Sequence, residues 1–267
     1  MWEAYWRLQG DPFLGPRPPF VRTDVHGEAV ARVVHAIENS APLMVVQGAW
    51  GVGRSTVLNR AVVETRAPCR RFARASGPPD VEGLLEGLVG AFGSRRGSLP
   101  SSSHSRAFAE SLQLAALQRL HPVVVIDDAE ALWEERVSSR FERFLRQSAG
   151  GDRGLTVVIA LRDGEGPRDR RMRFARSGTA KLTPLTYSEC VRYVEEKLAR
   201  AGRRESTFEP LARVRLYDLT GGVPAAIDRL AAHAMMAGAV RGVSQIDARM
   251  IDDVGQEFLE EWEDRVA

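Results

Sequence analysis

Apolar and polar positions follow two different patterns along this chain. Up to about residue 184, short apolar runs are separated by stretches in which apolar residues recur at helical spacing. Short apolar runs bounded by turn residues are typical of buried strands, and the helical spacing is typical of amphipathic helices. After Pro184 the helical spacing continues without a further strand-like run. The pattern therefore predicts an α/β domain followed by a smaller, all-helical domain.

Strands and helices alternate in the predicted α/β domain. Strands are predicted at 43–47, 70–75, 123–126, 155–161 and 179–182, and helices at 27–39, 55–65, 80–92, 107–120 and 137–147. This alternation favours a parallel sheet with helices on both faces, a three-layer sandwich. The Gly-, Ser- and Arg-rich segment 93–105 predicts a loop. In the last part, helices are predicted at 187–201, 210–219, 223–239 and 247–265.

The first 26 residues are rich in aromatic residues and proline. Interior prolines break a helix, so we expect a short helical piece followed by extended chain that packs on the protein's own core. We therefore expect an arm at 1–26, the α/β domain at 27–184 and the helical domain at 185–267.

Composition narrows the class of protein. With 267 residues, 44% of them hydrophobic and 27% charged, the chain can bury a sizeable core. The net charge of +2 is too near neutral to imply a polyanionic partner. Cys69 and Cys190 stand far apart, which fits reduced thiols better than a disulfide framework. No signal peptide and no run approaching the roughly 18–20 apolar residues of a membrane span is visible, so we expect a cytoplasmic protein.

The segment from Gly48 to Thr56 matches the phosphate-loop pattern G-x-x-x-x-G-K-[ST] at every place but one. It follows a predicted strand and opens a predicted helix, which is the context that this motif requires. Glycines let backbone N–H groups surround phosphate oxygens, and the helix N-terminus favours negative charge. The expected phosphate-binding residues are Gly48, Gly51, Val52, Gly53, Arg54, Ser55 and Thr56, with Ser55 also a Mg²⁺ ligand. The alternative is a plain tight turn from strand to helix.

Carboxylates follow the clearest predicted strand: Asp127, Asp128 and Glu130 come directly after Ile126. Carboxylates at the end of a buried strand are costly unless they serve a metal or a hydrogen-bond network. Beside a phosphate loop, Asp127 is a candidate metal ligand and Asp128 a candidate base for an attacking water. Glu130 is a substitute base only if the backbone turns it inward. The alternative is that these carboxylates cap a helix.

The chain resembles the ExeA/GspA-like AAA+ ATPases of secretion operons, which are related to TniB- and MuB-like ATPases of transposition. The resemblance rests on Tyr5–Phe13, His26–Ala29, Gly48–Thr56, Val123–Glu130, Leu182–Thr186, Tyr193, Leu198–Gly202 and Thr220–Pro224. It implies a P-loop NTPase domain with a helical AAA+ lid domain, and bound ATP and Mg²⁺. It also implies that Asp127 holds the metal, that Asp128 is the base and that Arg162 occupies a sensor position. An arginine finger for a neighbouring subunit falls near Arg171, with Arg170 and Arg173 as alternatives.

Three positions depart from the family pattern together. Arg54 replaces lysine, Asp128 replaces glutamate, and Ala225 stands where the family has an arginine that touches the γ-phosphate. Loss of one charge-stabilising group typically costs 10²–10³ in rate, so we expect slow hydrolysis or none. The resemblance implies a homo-oligomer that acts on a protein partner. The alternatives are a non-hydrolysing scaffold and a DNA-associated ATPase subunit, and DNA has support only from the arginine-rich stretch 168–176.

Overall fold

The computed structural model describes residues 2–16, 18–92, 101–149, 155–164 and 178–256. The chain divides into two compact units. An α/β unit comprises His26–Ala49 and Arg54–Leu182, and a helical unit comprises the chain up to Val25, Trp50–Gly53 and the chain from Thr183 onward. The arm at the start of the chain is thus part of the helical unit. Among the described residues, no helix combines the length and hydropathy needed to cross a bilayer.

A five-stranded parallel sheet forms the centre of the α/β unit. Its strands are β1 (Leu43–Gln47), β2 (Arg70–Ser76), β3 (His121–Asp127), β4 (Thr156–Leu161) and β5 (Gly178–Lys181). They lie in the order β2-β3-β4-β1-β5, and every pairing is parallel. The predicted parallel sheet is therefore confirmed. In this order β1 and β3 flank β4, so the carboxyl ends of all three meet at one edge of the sheet.

Helices follow the strands in the predicted alternation. Along the described chain they are α1 (Trp2–Tyr5), α2 (Asp24–Glu38), α3 (Arg54–Glu64), α4 (Val81–Ala91), α5 (Ser101–Leu117), α6 (Glu135–Ala149), α7 (Tyr187–Arg200), α8 (Pro210–Thr220) and α9 (Pro224–Arg241). Residues 248–256 are also helical. Asp80 caps α4, because its side chain accepts a hydrogen bond from the Gly83 N–H.

One face of the sheet packs against α4, α5 and α6. Its core includes Val45 of β1, Val124 of β3 and Ile159 of β4, which pack with Leu88 and Phe141 of the helices. Met44 points to the opposite face, because successive strand residues alternate in direction, and it lines a cavity with residues of α2. This arrangement confirms helices on both faces of the sheet.

The loop prediction for 93–105 was wrong at its C-terminal end, because α5 already begins at Ser101. Polar serines suggested a loop, yet serine is also favoured at helix N-termini. Phe108 and Leu112 of α5 are almost fully buried in the core of the sheet, and this packing stabilises the helix. The start of α2, at Asp24 rather than 27, is a smaller difference of the same kind.

The aromatic arm packs within the helical unit. Trp6 is 1% exposed, and its indole N–H donates a hydrogen bond of 2.8 Å to the backbone carbonyl of Met235 in α9. Phe13 belongs to the same apolar core. A Cβ at Gly238 of α9 would lie 2.9 Å from the Trp6 ring, so this close approach requires glycine. The expectation that the arm covers its own core is confirmed.

A buried ion pair joins two helices of this unit. Nζ of Lys197 in α7 donates to Oδ2 of Asp228 in α9 at 2.6 Å, and the Tyr193 hydroxyl donates to the same oxygen at 3.0 Å. The Lys197 ammonium also lies 5.6 Å from the centre of the Phe13 ring. Burial raises the pKa of Asp228 to about 6, although the Lys197 charge favours the ionised carboxylate. The pair therefore links the arm, α7 and α9.

Candidate functional site

The loop between β1 and α3 has the backbone that its glycines predict. Gly51 and Gly53 have φ values of 79° and 98°, a region that side-chain-bearing residues rarely adopt. The loop is fixed at its start, because the N–H of Gly48 donates to the carbonyl of Leu161 at the end of β4. Helix α3 begins at Arg54. The segment is therefore a strand, a glycine turn and a helix N-terminus, the arrangement that binds phosphate.

The middle of the loop is held within the helical unit. The carbonyl oxygen of Gly51 accepts a hydrogen bond of 3.1 Å from the N–H of Ala225, in the first turn of α9. Val52 is fully buried. Ser55 and Thr56, in the first turn of α3, are exposed. This turn carries no acidic residue, so it does not repel an anion.

Arg54, the unusual residue of the loop, is buried and paired. Its side chain is 7% exposed, and its Nη1 donates a hydrogen bond of 2.8 Å to Oε1 of Glu130. The other end of the guanidinium, Nη2, lies 3.5 Å from Oδ1 of Asp128. Arg54 is therefore engaged by two carboxylates that follow β3.

The backbone turns sharply where β3 ends. Asp127 is the last residue of β3, and its Oδ1 accepts a hydrogen bond of 3.2 Å from the N–H of Asp128. Asp128 has φ 48°, a left-handed conformation in which aspartate is more common than most residues. The short 3₁₀ helix Glu130–Trp133 begins after Ala129 without a side-chain cap. The capping interpretation of these carboxylates was therefore wrong, and the turn instead brings Glu130 against Arg54.

Asp128 is electrostatically disfavoured as an anion. Partial burial raises its pKa, and the nearby charges of Asp127 and Glu130 raise it further. The guanidinium groups of Arg54 and Arg162 oppose this shift. A carboxyl group with a raised pKa accepts a proton more readily, which suits a base for water activation.

Arg162 lies directly after β4, where the sensor position was expected. Its backbone N–H donates a hydrogen bond of 2.9 Å to Oε1 of Glu130. Its side chain is mostly exposed and lies 3.8 Å from the same oxygen. Thus Arg54, Asp128, Glu130 and Arg162 form one cluster. Arg171 and its alternatives, Arg170 and Arg173, lie outside the described residues.

Glu130 lies at the centre of this cluster, although the motif predicted a role for it only if the backbone turned it inward. The spacing Asp-Asp-Ala-Glu does not show which carboxylate faces the loop. The inward position of Glu130 depends on the left-handed backbone at Asp128. The signal available in the sequence was the arginine at position 54, since a buried guanidinium requires a nearby anion.

The residues present fit a nucleotide phosphate and a hard divalent cation. The left-handed glycines and the start of α3 offer backbone N–H groups, and nothing acidic lies in the first turn of that helix. The exposed hydroxyl of Ser55 and the carboxylate of Asp127 are oxygen donors of the kind that Mg²⁺ prefers.

Comparisons with known proteins agree with this geometry. Residues 37–164 match the model of the AAA domain family. General secretion pathway protein A from Aeromonas hydrophila is 23% identical over 261 residues, which cover 92% of this chain and 46% of that protein. The chain thus spans less than half of this curated relative.

Solved structures share the fold at low sequence identity. Cdc6p from Pyrobaculum aerophilum superposes with a TM-score of 0.72 at 15% identity, over 96% of this chain and 71% of that one. The ORC1 protein of Aeropyrum pernix, solved in complex with DNA, superposes with a TM-score of 0.68 at 13% identity, over 90% of this chain and 66% of that one. The Holliday junction branch migration motor RuvB of Thermotoga maritima superposes with a TM-score of 0.58 at 16% identity, over 87% of this chain and 68% of that one. Residues 37–164 therefore match the AAA domain family, and the chain is similar over most of its length to general secretion pathway protein A.

Proposed function

We propose that this protein is a nucleotide-dependent switch that binds ATP with Mg²⁺ and hydrolyses it slowly. The observation that carries the proposal is the loop itself. Gly51 and Gly53 adopt left-handed backbone immediately before α3, and a buried cation, Arg54, stands at the helix start. This arrangement binds phosphate through backbone N–H groups, which do not depend on the identity of residue 54.

Each site residue has a role in this proposal. The loop residues Gly48, Gly51, Val52, Gly53, Arg54, Ser55 and Thr56 hold the phosphates, and Ser55 and Asp127 hold Mg²⁺. Bound ATP supplies a phosphoanhydride bond whose cleavage needs an oriented water and stabilised negative charge. Asp128 accepts the proton of that water, and Arg162 responds to the γ-phosphate.

Slow turnover follows from the state of three residues. Arg54 is engaged by Glu130 rather than free. Asp128 is one methylene shorter than glutamate, and more than half of its side chain is exposed. Ala225 offers its backbone N–H to Gly51 and has no charge for a phosphate. Each lost charge-stabilising group costs about 10²–10³ in rate.

We propose that nucleotide binding controls self-association and binding of a protein partner. The support is the AAA domain together with the general secretion pathway protein A likeness. Arg171 is proposed to reach the nucleotide of a neighbouring subunit. Light scattering with and without ATP tests this point: a monomer under both conditions contradicts it.

The direct experiment measures binding and phosphate release together. ATP bound only by the native state must raise the melting temperature. We expect this rise in wild type and in Asp128→Asn, with phosphate release above background in wild type alone. Equal background release in both leaves a non-hydrolysing scaffold, and the absence of any thermal shift contradicts the whole proposal.

A second candidate function is a DNA-associated ATPase. On α6 the arginines Arg136, Arg140 and Arg143 are exposed and spaced along one helix face, although Arg140 also lies 3.6 Å from Glu82. Two similar structures were solved with DNA, from Drosophila and Aeropyrum pernix. Phosphate contacts make binding strongly salt-dependent, so retention on DNA at low salt is the test. Equal retention of wild type and an Arg140→Gln/Arg143→Gln variant contradicts this candidate.

A further inference from the structure

We infer that Glu130 sets the nucleotide affinity of this protein, because it is the internal counter-ion that a phosphate must replace on Arg54. The inference rests on the proposed nucleotide binding at the loop. It assigns to Glu130 a positioning role, exerted through Arg54, that differs from the role of a base.

The Arg54–Glu130 contact is a strong interaction. The donor–acceptor distance is 2.8 Å, and the two side chains are only 7% and 24% exposed. Charge-assisted hydrogen bonds are about twice as strong as neutral ones, and low exposure limits screening by solvent and salt. The contact with Asp128 at 3.5 Å is longer, and the Asp128 side chain is 56% exposed. Glu130 is therefore the principal anion bound to Arg54.

Glu130 is also held from its other side. The same oxygen, Oε1, accepts the backbone N–H of Arg162 at 2.9 Å. The left-handed backbone of Asp128 directs the chain into the short 3₁₀ helix that begins at Glu130. The carboxylate is therefore fixed beside the loop rather than free to leave with the guanidinium.

Because residue 54 is an arginine, Glu130 and a phosphate compete strongly for its charge. A guanidinium is always charged, and here carboxylates already lie at both ends of its planar fork. While Glu130 occupies Nη1, a phosphate gains little from Arg54 unless that hydrogen bond is given up. Removing the Glu130 charge leaves the buried Arg54 with only the longer contact to Asp128, so a phosphate then gains more from the guanidinium. We expect Glu130→Gln to bind ADP and ATP about ten- to a hundredfold more tightly.

A role of Glu130 in orienting Arg54 predicts the opposite change in nucleotide affinity. If Glu130 only orients Arg54 toward the phosphate, its replacement weakens binding. The melting temperature of the protein without nucleotide gives an independent readout. We expect Glu130→Gln to lower it, because Arg54 loses its counter-ion, and yet to enlarge the rise that ADP produces. A purely structural defect lowers both the melting temperature without nucleotide and the rise that ADP produces.

The experiment is calorimetric titration of wild type, Glu130→Gln, Glu130→Asp and Glu64→Gln with ADP and with ATP. Glu64→Gln is the matched control, because Glu64 pairs with Arg60 on the exposed part of the same helix at 2.6 Å. We expect wild-type affinity in the control. The shorter carboxylate of Glu130→Asp contacts Arg54 less closely, so we expect an intermediate gain of about threefold.

The outcomes separate the two proposals. Wild type that binds, with tighter binding in Glu130→Gln, supports both. Wild type that binds, with equal or weaker binding in both Glu130 variants, overturns the counter-ion role and leaves the nucleotide function standing. Binding in a Glu130 variant alone supports the counter-ion role and overturns nucleotide binding by the native chain. No binding in any variant overturns both, and if Glu130→Gln does not fold, Glu130→Asp decides by the same comparison.

Discussion

The backbone N–H of Ala225 donates a hydrogen bond of 3.1 Å to the carbonyl oxygen of Gly51. Ala225 stands where the family pattern places a phosphate-contacting arginine. The start of α9 therefore holds the middle of the loop at Gly51 through its backbone, although the Ala225 side chain carries no charge. The contact gives this position a role that its side chain does not suggest.

Removal of this donor is expected to weaken nucleotide binding. Ala225→Pro lacks the N–H but is tolerated in a first helical turn, whereas Ala225→Gly keeps the N–H. One lost hydrogen bond is worth about 1 kcal/mol, so we expect roughly fivefold weaker ATP binding in Ala225→Pro. Calorimetric titration is the measurement, and equal affinities of the proline and glycine variants would show that the contact does not matter.

The glycine turn is expected to be intolerant of a side chain. At Gly53, with φ 98°, an alanine is strained by about 1–2 kcal/mol. Gly53→Ala should therefore melt at a lower temperature and bind ATP more weakly than wild type. Gly87→Ala in α4 is the control, because a Cβ there meets no atom within 4 Å and alanine favours a helix. A Gly53→Ala variant that behaves like Gly87→Ala would contradict this account of the loop.

The raised pKa of Asp128 gives a pH dependence with a defined sign. Its folded-state pKa lies above the ordinary value of 3.8, so ionisation is harder in the folded state. Its contribution to stability is therefore present at low pH and is lost as pH rises through the raised pKa. Asp128→Asn is expected to melt slightly higher than wild type at pH 7.

The two melting temperatures should converge as pH falls below about 4. The difference in melting temperature is small, because the Asp128 side chain is more than half exposed and its charge is screened. Thermal melts between pH 4 and pH 8 measure it. A variant that melts lower than wild type at neutral pH would show that the Asp128 charge stabilises the fold.

Breaking the buried pair in the helical unit is expected to be costly. Lys197→Met leaves the Asp228 carboxylate buried without its cation, which typically costs about 3–5 kcal/mol. For a chain of this size the melting temperature should fall by about 6–15 °C. The double variant Lys197→Met/Asp228→Asn should recover part of that loss, since it removes the unpaired charge.

An exposed ion pair made by another residue of α7 serves as the control. Arg192 and Asp24 lie 3.2 Å apart with side chains 51% and 84% exposed. Arg192→Met should change stability by at most about 1 kcal/mol. Equal losses in Lys197→Met and Arg192→Met would contradict the importance assigned to burial.

Local features of this chain were predictable from sequence, and features that depend on distant contacts were not. The glycine turn after β1 was predictable because its glycines allow the positive φ angles that the structure shows at Gly51 and Gly53. β3 was found because Val123–Ile126 is an apolar run, although the strand extends from His121 to Asp127. The start of α5 was missed because its stability comes from the packing of Phe108 and Leu112, while its first residues resemble a loop.

The pairing of Arg54 with Glu130 depends on distant contacts and was not predictable from the sequence. The two residues are 76 positions apart, and the contact depends on the conformation of Asp128 between β3 and the 3₁₀ helix. No spacing rule predicts a left-handed aspartate. The departure from lysine at position 54 was visible in the sequence, and the structure shows that an acidic partner accompanies it.

We propose that the loop binds nucleotide while the cluster around Arg54 keeps turnover slow. The most direct measurement is ATP binding by calorimetry and phosphate release in the same preparation of wild-type protein, with Mg²⁺. We expect saturable binding with phosphate release no faster than about 10⁻² per second, which is about 10² below the lower end of the common range for enzymes. Absence of binding, or release at several per second, would contradict it.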